Sequence, residues 1–463
     1  MFSATLPELI EKMCSKITLR DYQTDIFDKS VQAFKGGAKG ICCVLPCRSG
    51  KSYIMARMIK GAKGNVLVLA HRHTLINQHK GLLKSLGVLT NNVRVESVFT
   101  EASRLGRYPK DSVNLIIIDE AHLSEAMSYR KVCEYYDCKR VLFTATPARL
   151  DGKPLTLADT LITGITADEL IKTGAISEYD YYAPDLNLNV ENVDMVAGEY
   201  NNGQLTELMC QTAIYGDVLK YYRQLGDNRQ AIAYCTSVKH SEQTAQMFTD
   251  NGVSAISIDG SMSQKERNKK MDMFRNGKVQ ILCNCNLISE GVTLPNASVA
   301  LLLRPTMSLP LFIQQSCRVL TPVQGKKAVI IDFVNNVQKH GMPTDTHNWS
   351  LTQSVEKRKQ FNEDGTLSIR QCENCFKCFK TQAVCPYCGY TYKVKGRELK
   401  SVQDVELKKI EAIEKEEQEK EKKLARMEVG QCRTIAELQK IAKERGYAPG
   451  WVWQMARIKH ITK

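Results

Sequence analysis

Two series of short apolar runs constrain this chain more than any other feature. The first holds "GICCVLP", "NVLVLAH", "VNLIIIDE" and "RVLFTATP" between residues 40 and 147, and the second holds "QAIAYCTS", "VSAISIDG", "VQILCNCN", "SVALLLRP" and "AVIIDFV" between 230 and 334. Near-continuous apolar runs of this length are what parallel strands need when helices cover both faces of their sheet. Helix-like stretches such as "KHSEQTAQMFTDNG" separate them, so the expected fold class is α/β, with two similar parallel-sheet domains in tandem.

The first domain is expected over 1–175 and the second over 211–345, joined by a weakly periodic, Asn-rich connection at 176–210. A cysteine cluster follows at 366–395. Residues 400–429 form a charged, helix-forming run with Glu and Lys one turn apart, expected as a solvated spacer helix. Residues 430–463 read as a small helical module, two short helices broken at "GYAPGW", with aromatics among Lys and Arg. Such a module is either a packed cap or a nucleic-acid contact that uses stacking and charge.

Net charge is +14, and residues 366–463 carry 21 Lys and Arg against 13 Asp and Glu, so the chain suits a polyanionic partner and its tail is the basic end. The first residues lack the long apolar core of a signal peptide, and runs such as "ASVALLLR" are too short to cross a bilayer. A soluble, cytoplasmic protein without membrane contact is expected. Most of the 17 cysteines sit singly in apolar strands, where cysteine acts as a small hydrophobe.

The chemistry concentrates at strand ends. "LPCRSGKS" closes the first run: amides around Ser49 and Gly50 at a helix N-terminus suit phosphates, Lys51 supplies a point charge to the β/γ-phosphates, and Ser52 offers a hydroxyl to magnesium. "IIIDEAHLSE" delivers Asp119 to the same metal, through water, and Glu120 to an attacking water. Arg48 is unusual in such a loop. Either its guanidinium reaches the γ-phosphate, or it turns to solvent or to a nearby carboxylate.

In order, these and further motifs resemble the superfamily 2 helicases with a DEAH box, and within them the RadD-like and phage-encoded members, over roughly residues 15–395. The resemblance implies two RecA-like domains that bind ATP and magnesium in the cleft between them and move on DNA. "LRDYQ" resembles the Q motif, placing Gln23 on the adenine edge with Arg20 nearby. "LAHRHTLINQ" resembles motif Ia, implying nucleic-acid contacts around His71 and Arg72, and "TATP", with Thr144 and Thr146, resembles motif III, which couples His122 to the tracking strand. "YCTSVKHS", with Ser237, resembles motif IV; "NCNLISEGVTLP", with Gly291, resembles motif V; "RPTMSLPLFIQQSCRVLTP" resembles motif VI, whose Gln314 and Arg318 sense the γ-phosphate. Three positions depart from the pattern: Cys317 stands for glycine, Thr321 for a second arginine, and Thr293 for aspartate.

The resemblance implies single-stranded, forked or branched DNA as partner, replication or repair proteins beside it, a monomer, and a bacterial or phage-infected cell. Two other readings stay open: a nucleotide-responsive clamp with weak ATPase, and an RNA helicase. In "CENCFKCFKTQAVCPYCGY", Cys372 and Cys375 form one C-x-x-C and Cys385 and Cys388 another. Two such turns supply the four thiolates of a structural zinc ribbon, with Cys378 outside either pair.

Overall fold

The computed structural model describes residues 17–124, 126–147, 155–184, 193–196, 199–210, 212–285, 287, 294–352, 368–392, 432–444, 447–459 and 461. Gly291 and Thr293, and with them the core of motif V, lie outside the described residues, as does the expected spacer helix at 400–429.

The first sheet contains β1 (Gly40–Val44), β2 (Val66–Ala70), β3 (Val93–Ser97), β4 (Leu115–Asp119), β5 (Lys139–Thr144) and β6 (Thr160–Thr163), all parallel in the order β3-β2-β4-β5-β1-β6. Alternate side chains of a strand point to opposite faces, and both faces here are covered. Leu115 and Ile117 of β4 pack into one apolar cluster, and Ile116 and Ile118 into the other. Burying each such side chain contributes roughly 1.5–3 kcal/mol, which is why these runs are unbroken by polar residues. The order matters for chemistry, because β4 and β1 flank β5. Register places Val44 beside Thr144 and Asp119 beside Phe143, so the loops after β1, β4 and β5 leave the sheet from one edge.

The second sheet is built the same way from β7 (Tyr179–Tyr182), β10 (Ala231–Tyr234), β11 (Ala255–Ile258), β12 (Ile281–Asn284), β13 (Val299–Leu302) and β14 (Ala328–Asp332), parallel in the order β11-β12-β10-β13-β14-β7. These are the two tandem RecA-like domains. The stretch 176–210 is more than a connection. Its β7 closes the edge of the second sheet, with the Tyr181 hydroxyl donating to Asp332 Oδ2 at 2.7 Å. Its short hairpin, β8 (Met195–Val196) and β9 (Glu199–Tyr200), brings Glu199 to accept from the Thr306 hydroxyl and the Met307 amide. After β14 the chain returns to the first domain, where Trp349 and Leu351 pack against its second cluster.

The cysteine segment forms a small antiparallel pair, β15 (Ile369–Gln371) and β16 (Cys378–Lys380), seated on the second domain: Ile369 and Cys378 belong to its core, and Lys377 bridges to Tyr182 of β7. A separate compact unit, 392–463, holds two helices, Ile435–Glu444 and Pro449–Ile458, around Leu438, Ile441, Val452 and Ala456. Among the described residues no helix is long and apolar enough to cross a membrane.

Candidate active site

The loop after β1 leads into the helix Lys51–Gly61, whose N-cap, Gly50, has φ 79°. A side chain there would be strained, and a Cβ would sit 2.5 Å from Gln23 Nε2, so the Gln23 amide would have to move off the Ser49 carbonyl. Gln23 and Tyr22 fix the loop from outside: Gln23 Nε2 and the Tyr22 hydroxyl each donate to the Ser49 carbonyl at 2.9 Å, while Gln23 Oε1 accepts from the Arg20 amide. The expected adenine contact of Gln23 is thus one use of an amide that already anchors the phosphate loop. Tyr22 carries no motif signal beyond standing next to Gln23. The Ser49 hydroxyl is buried with no hydrogen-bond partner among the described residues, an orphan that an oxyanion at this helix start would satisfy.

Asp119 and Glu120 emerge at the end of β4. Glu120 takes a left-handed backbone, φ 53°, the kind of local strain that collects at reacting groups. Its amide donates to Asp119 Oδ1 at 3.0 Å, and His79 lies 3.0 Å from Asp119 Oδ2. Burial opposes the charge on Asp119, but His79, Lys51 and the Glu120 amide outweigh it and hold the carboxyl below its ordinary value. Burial likewise opposes the charge of Lys51, and Glu120, Cys47 and Asp119 more than offset it, so the ammonium stays charged. One helix start, one buried ammonium and two carboxylates therefore share a site.

The second domain closes this site. Gln314 Nε2 lies 3.3 Å from His122 Nε2, and His122 Nδ1 lies 3.6 Å from Glu120 Oε2, so a carboxylate, an imidazole and an amide form a line across the cleft. Arg48, at φ 69°, donates through Nη2 to the Arg318 carbonyl at 3.3 Å. It therefore takes neither sequence-derived alternative, solvent or a carboxylate, in this arrangement. Beside it Cys47 packs against the cluster that contains Cys317, and the Cys317 thiol, Lys51 and Arg318 nearby lower its pKa to about 6 despite burial. Cys317, where the family pattern has a glycine, is thus a cross-cleft contact. The Thr321 hydroxyl lies 3.5 Å from the same Arg318 carbonyl.

Residues 16–149 match the family described as type III restriction enzyme, res subunit, and residues 213–321 match the helicase conserved C-terminal domain. A "51.5 kDa protein" of a Lactococcus phage (isolate 7-9) is 35% identical over 363 residues, covering 77% of this chain and 79% of that one. The chain belongs to the superfamily 2 helicases. IRC3 of Saccharomyces cerevisiae, named as an ATP-dependent helicase, is 29% identical, and this helicase covers 53% of its length and aligns over 71% of its own. XPB2 of Sulfurisphaera tokodaii, named a DNA 3'-5' translocase, is 23% identical across 69% of this helicase and 82% of XPB2. A fragment assigned to the HsdR subunit of a type I restriction enzyme from Vibrio vulnificus shares the fold, with TM-score 0.54 and 18% identity over 73% of this chain and 71% of that one. The helicase is an ATP-hydrolysing enzyme.

Other residues expected to contact nucleic acid have partners within the chain. Thr144 and Thr146, expected to meet nucleic acid, are buried and satisfy each other: the Thr144 hydroxyl accepts from the Thr146 amide and donates to the Thr146 carbonyl. Ser237 caps the helix Val238–Asp250 by accepting from the His240 amide. His71 and Arg72 are half-buried; Arg72 donates to His71 and, across the cleft, to the Leu287 carbonyl at 3.4 Å.

The cysteine site fits a metal. Cys372, Cys375, Cys385 and Cys388 place their sulfurs within 4.8 Å of one another, with Cys372 and Cys388 3.5 Å apart and Cys375 and Cys385 3.8 Å apart. A tetrahedron of thiolates at the usual zinc distance has edges of about 3.8 Å. The two turns repeat one backbone pattern. The Phe376 and Gly389 amides donate to the Cys372 and Cys385 carbonyls, and the Cys372 and Cys385 amides donate to Lys377 and Tyr390. Cys378 points instead into the core of the second domain.

Proposed function

We propose that this helicase couples ATP hydrolysis to movement along, or remodelling of, DNA in replication, recombination or repair. Ser52 and Asp119 would hold magnesium, which when bound offsets phosphate charge. Lys51 binds the β/γ-phosphates, and Glu120 orients the attacking water and accepts its proton. Gln314 and Arg318 report the γ-phosphate to the second domain. The observation that carries this reading is the line Glu120–His122–Gln314, because it ties the general base to the opposite domain and so lets hydrolysis and domain closure influence each other. DNA as the track is supported by the DNA translocase named among the relatives, by the phage relative and by the net charge of +14. The four cysteines would hold a structural zinc with no open position.

The test is ATP turnover with single-stranded, duplex and forked DNA and with RNA, paired with strand separation on the forked substrate. DNA stimulation together with unwinding is expected; stimulation by RNA alone would make the track RNA. Glu120→Gln should bind nucleotide nearly as well as the parent and lower turnover by about three orders of magnitude or more, because the base is lost while the metal carboxylate stays. Near-parental turnover would remove Glu120 from that role.

A further inference from the structure

The helix His73–Ser85 buries Leu75, Ile76, His79 and Leu83 against the first sheet, an apolar face with a single imidazole in it. His79 is 4% exposed and Asp119 8%, so neither side chain has water to fall back on. A buried imidazole must be partnered, and Nε2 of His79 meets Asp119 Oδ2 at 3.0 Å. A carboxylate only accepts, which assigns the proton to Nε2. With the Glu120 amide on Oδ1, both oxygens of Asp119 are held by donors and the carboxylate plane is set. The same helix begins at Arg72, its N-cap, which donates across the cleft to the Leu287 carbonyl. Arg72 and His79 are two turns, roughly 10 Å, apart on one rigid element.

We propose that His79 is the positioning residue that orients Asp119 toward magnesium, and that it links the metal site to the start of this helix, where Arg72 meets the second domain. The inference rests on Asp119 as a magnesium ligand. A rotation or shift of this helix when Arg72 changes partners moves Nε2 and, with it, the carboxylate. A partner of this kind behind a ligating group typically contributes ten- to a hundredfold in metal affinity.

The experiment measures binding of a fluorescent ATP analogue to the full chain across magnesium concentrations, and in its absence. His79→Leu should raise the magnesium needed for half-saturation about tenfold and leave metal-free binding unchanged. His79→Gln, whose Nε2 falls near the imidazole Nε2, should recover to within about threefold. His79→Asn keeps a polar group but is too short to reach, so it should behave like Leu and guards against misfolding of the apolar variant. Unchanged magnesium dependence in both Leu and Asn variants overturns the proposal. Asp119→Asn separates the premises: if it too leaves magnesium dependence untouched, Asp119 is not a ligand and the role of His79 goes with it. DNA stimulation supplies the second readout, and it should be reduced in His79→Leu even at saturating magnesium.

Discussion

At Arg48 two costs oppose each other. Its left-handed backbone, φ 69°, costs about 1 kcal/mol that a glycine would not bear. Its guanidinium returns a charge-assisted hydrogen bond to the Arg318 carbonyl, worth about 1.5 kcal/mol at the weaker end for such a bond. Burial and the neighbouring Arg318 pull its pKa to about 10, so it is still cationic at neutral pH. An anion such as the γ-phosphate would stabilise both like charges, and Thr321 stands where the family pattern has a further arginine. Arg48→Gly should therefore change thermal stability little and lower turnover at saturating ATP by roughly three- to tenfold, up to about 1.4 kcal/mol of barrier. Adding Thr321→Arg should recover part of the loss. Parental turnover in Arg48→Gly would leave the γ-phosphate to Arg318 alone. The residues with chemistry at strand ends, Lys51, Asp119 and Glu120, are legible in the sequence because packing alone gives no reason to end an apolar run on charged side chains. His79 is not. Within an apolar helix face a lone histidine looks like any core residue until its partner, forty positions away, is brought beside it.

At the scale of elements the same contrast holds. Four strands of the first sheet and five of the second can be read from their runs, but β3, β6 and β7 cannot; of these, Tyr179–Tyr182 carries an aspartate and three tyrosines rather than an apolar stretch. Its tyrosines find polar partners instead, Tyr181 on Asp332 and Tyr179 on Thr344, which an edge strand permits. That strand is also what the cysteine segment docks on. Lys377 pairs with Asp180 at 3.0 Å and lies over the Tyr182 and Tyr387 rings, and Phe376 meets Tyr221 edge to face. Losing the metal therefore should loosen an edge of the second domain as well as the knuckles. One zinc per chain is expected by metal analysis of protein purified without chelator. Cys372→Ser or Cys388→Ser should lose it together with local protection from hydrogen exchange, because binding free energy is folding free energy at such a site. Cys378→Ser should keep the zinc, since its thiol lies in the core and not among the four. Zinc-free protein with an intact fold would refute the assignment.

For the whole molecule, motor and affinity are expected to be separable. The residues Lys51, Glu120 and Gln314 belong to the first compact unit, and residues 392–463 form a second with its own small core. That core settles how the two helices pack, and it leaves the opposite side for other use. Trp453 is 52% exposed and Ile458 63%, while Arg457 lies at the surface on the same helix. A tryptophan half in water costs apolar hydration that a stacked base would relieve, and base–aromatic stacking contributes about 1–3 kcal/mol per base. A chain ending at Gly396 should therefore retain its basal ATPase, bind single-stranded DNA at least tenfold more weakly, and show a salt dependence flatter by about 1–2 units, the equivalent of two or three phosphate contacts. Trp453→Ala in the full chain should weaken binding with the salt slope unchanged, because stacking releases no counterions. Equal affinity and slope in the shortened chain would make the unit a cap or a protein-docking element. A fall in slope without any effect of Trp453→Ala would leave charge as its sole contribution.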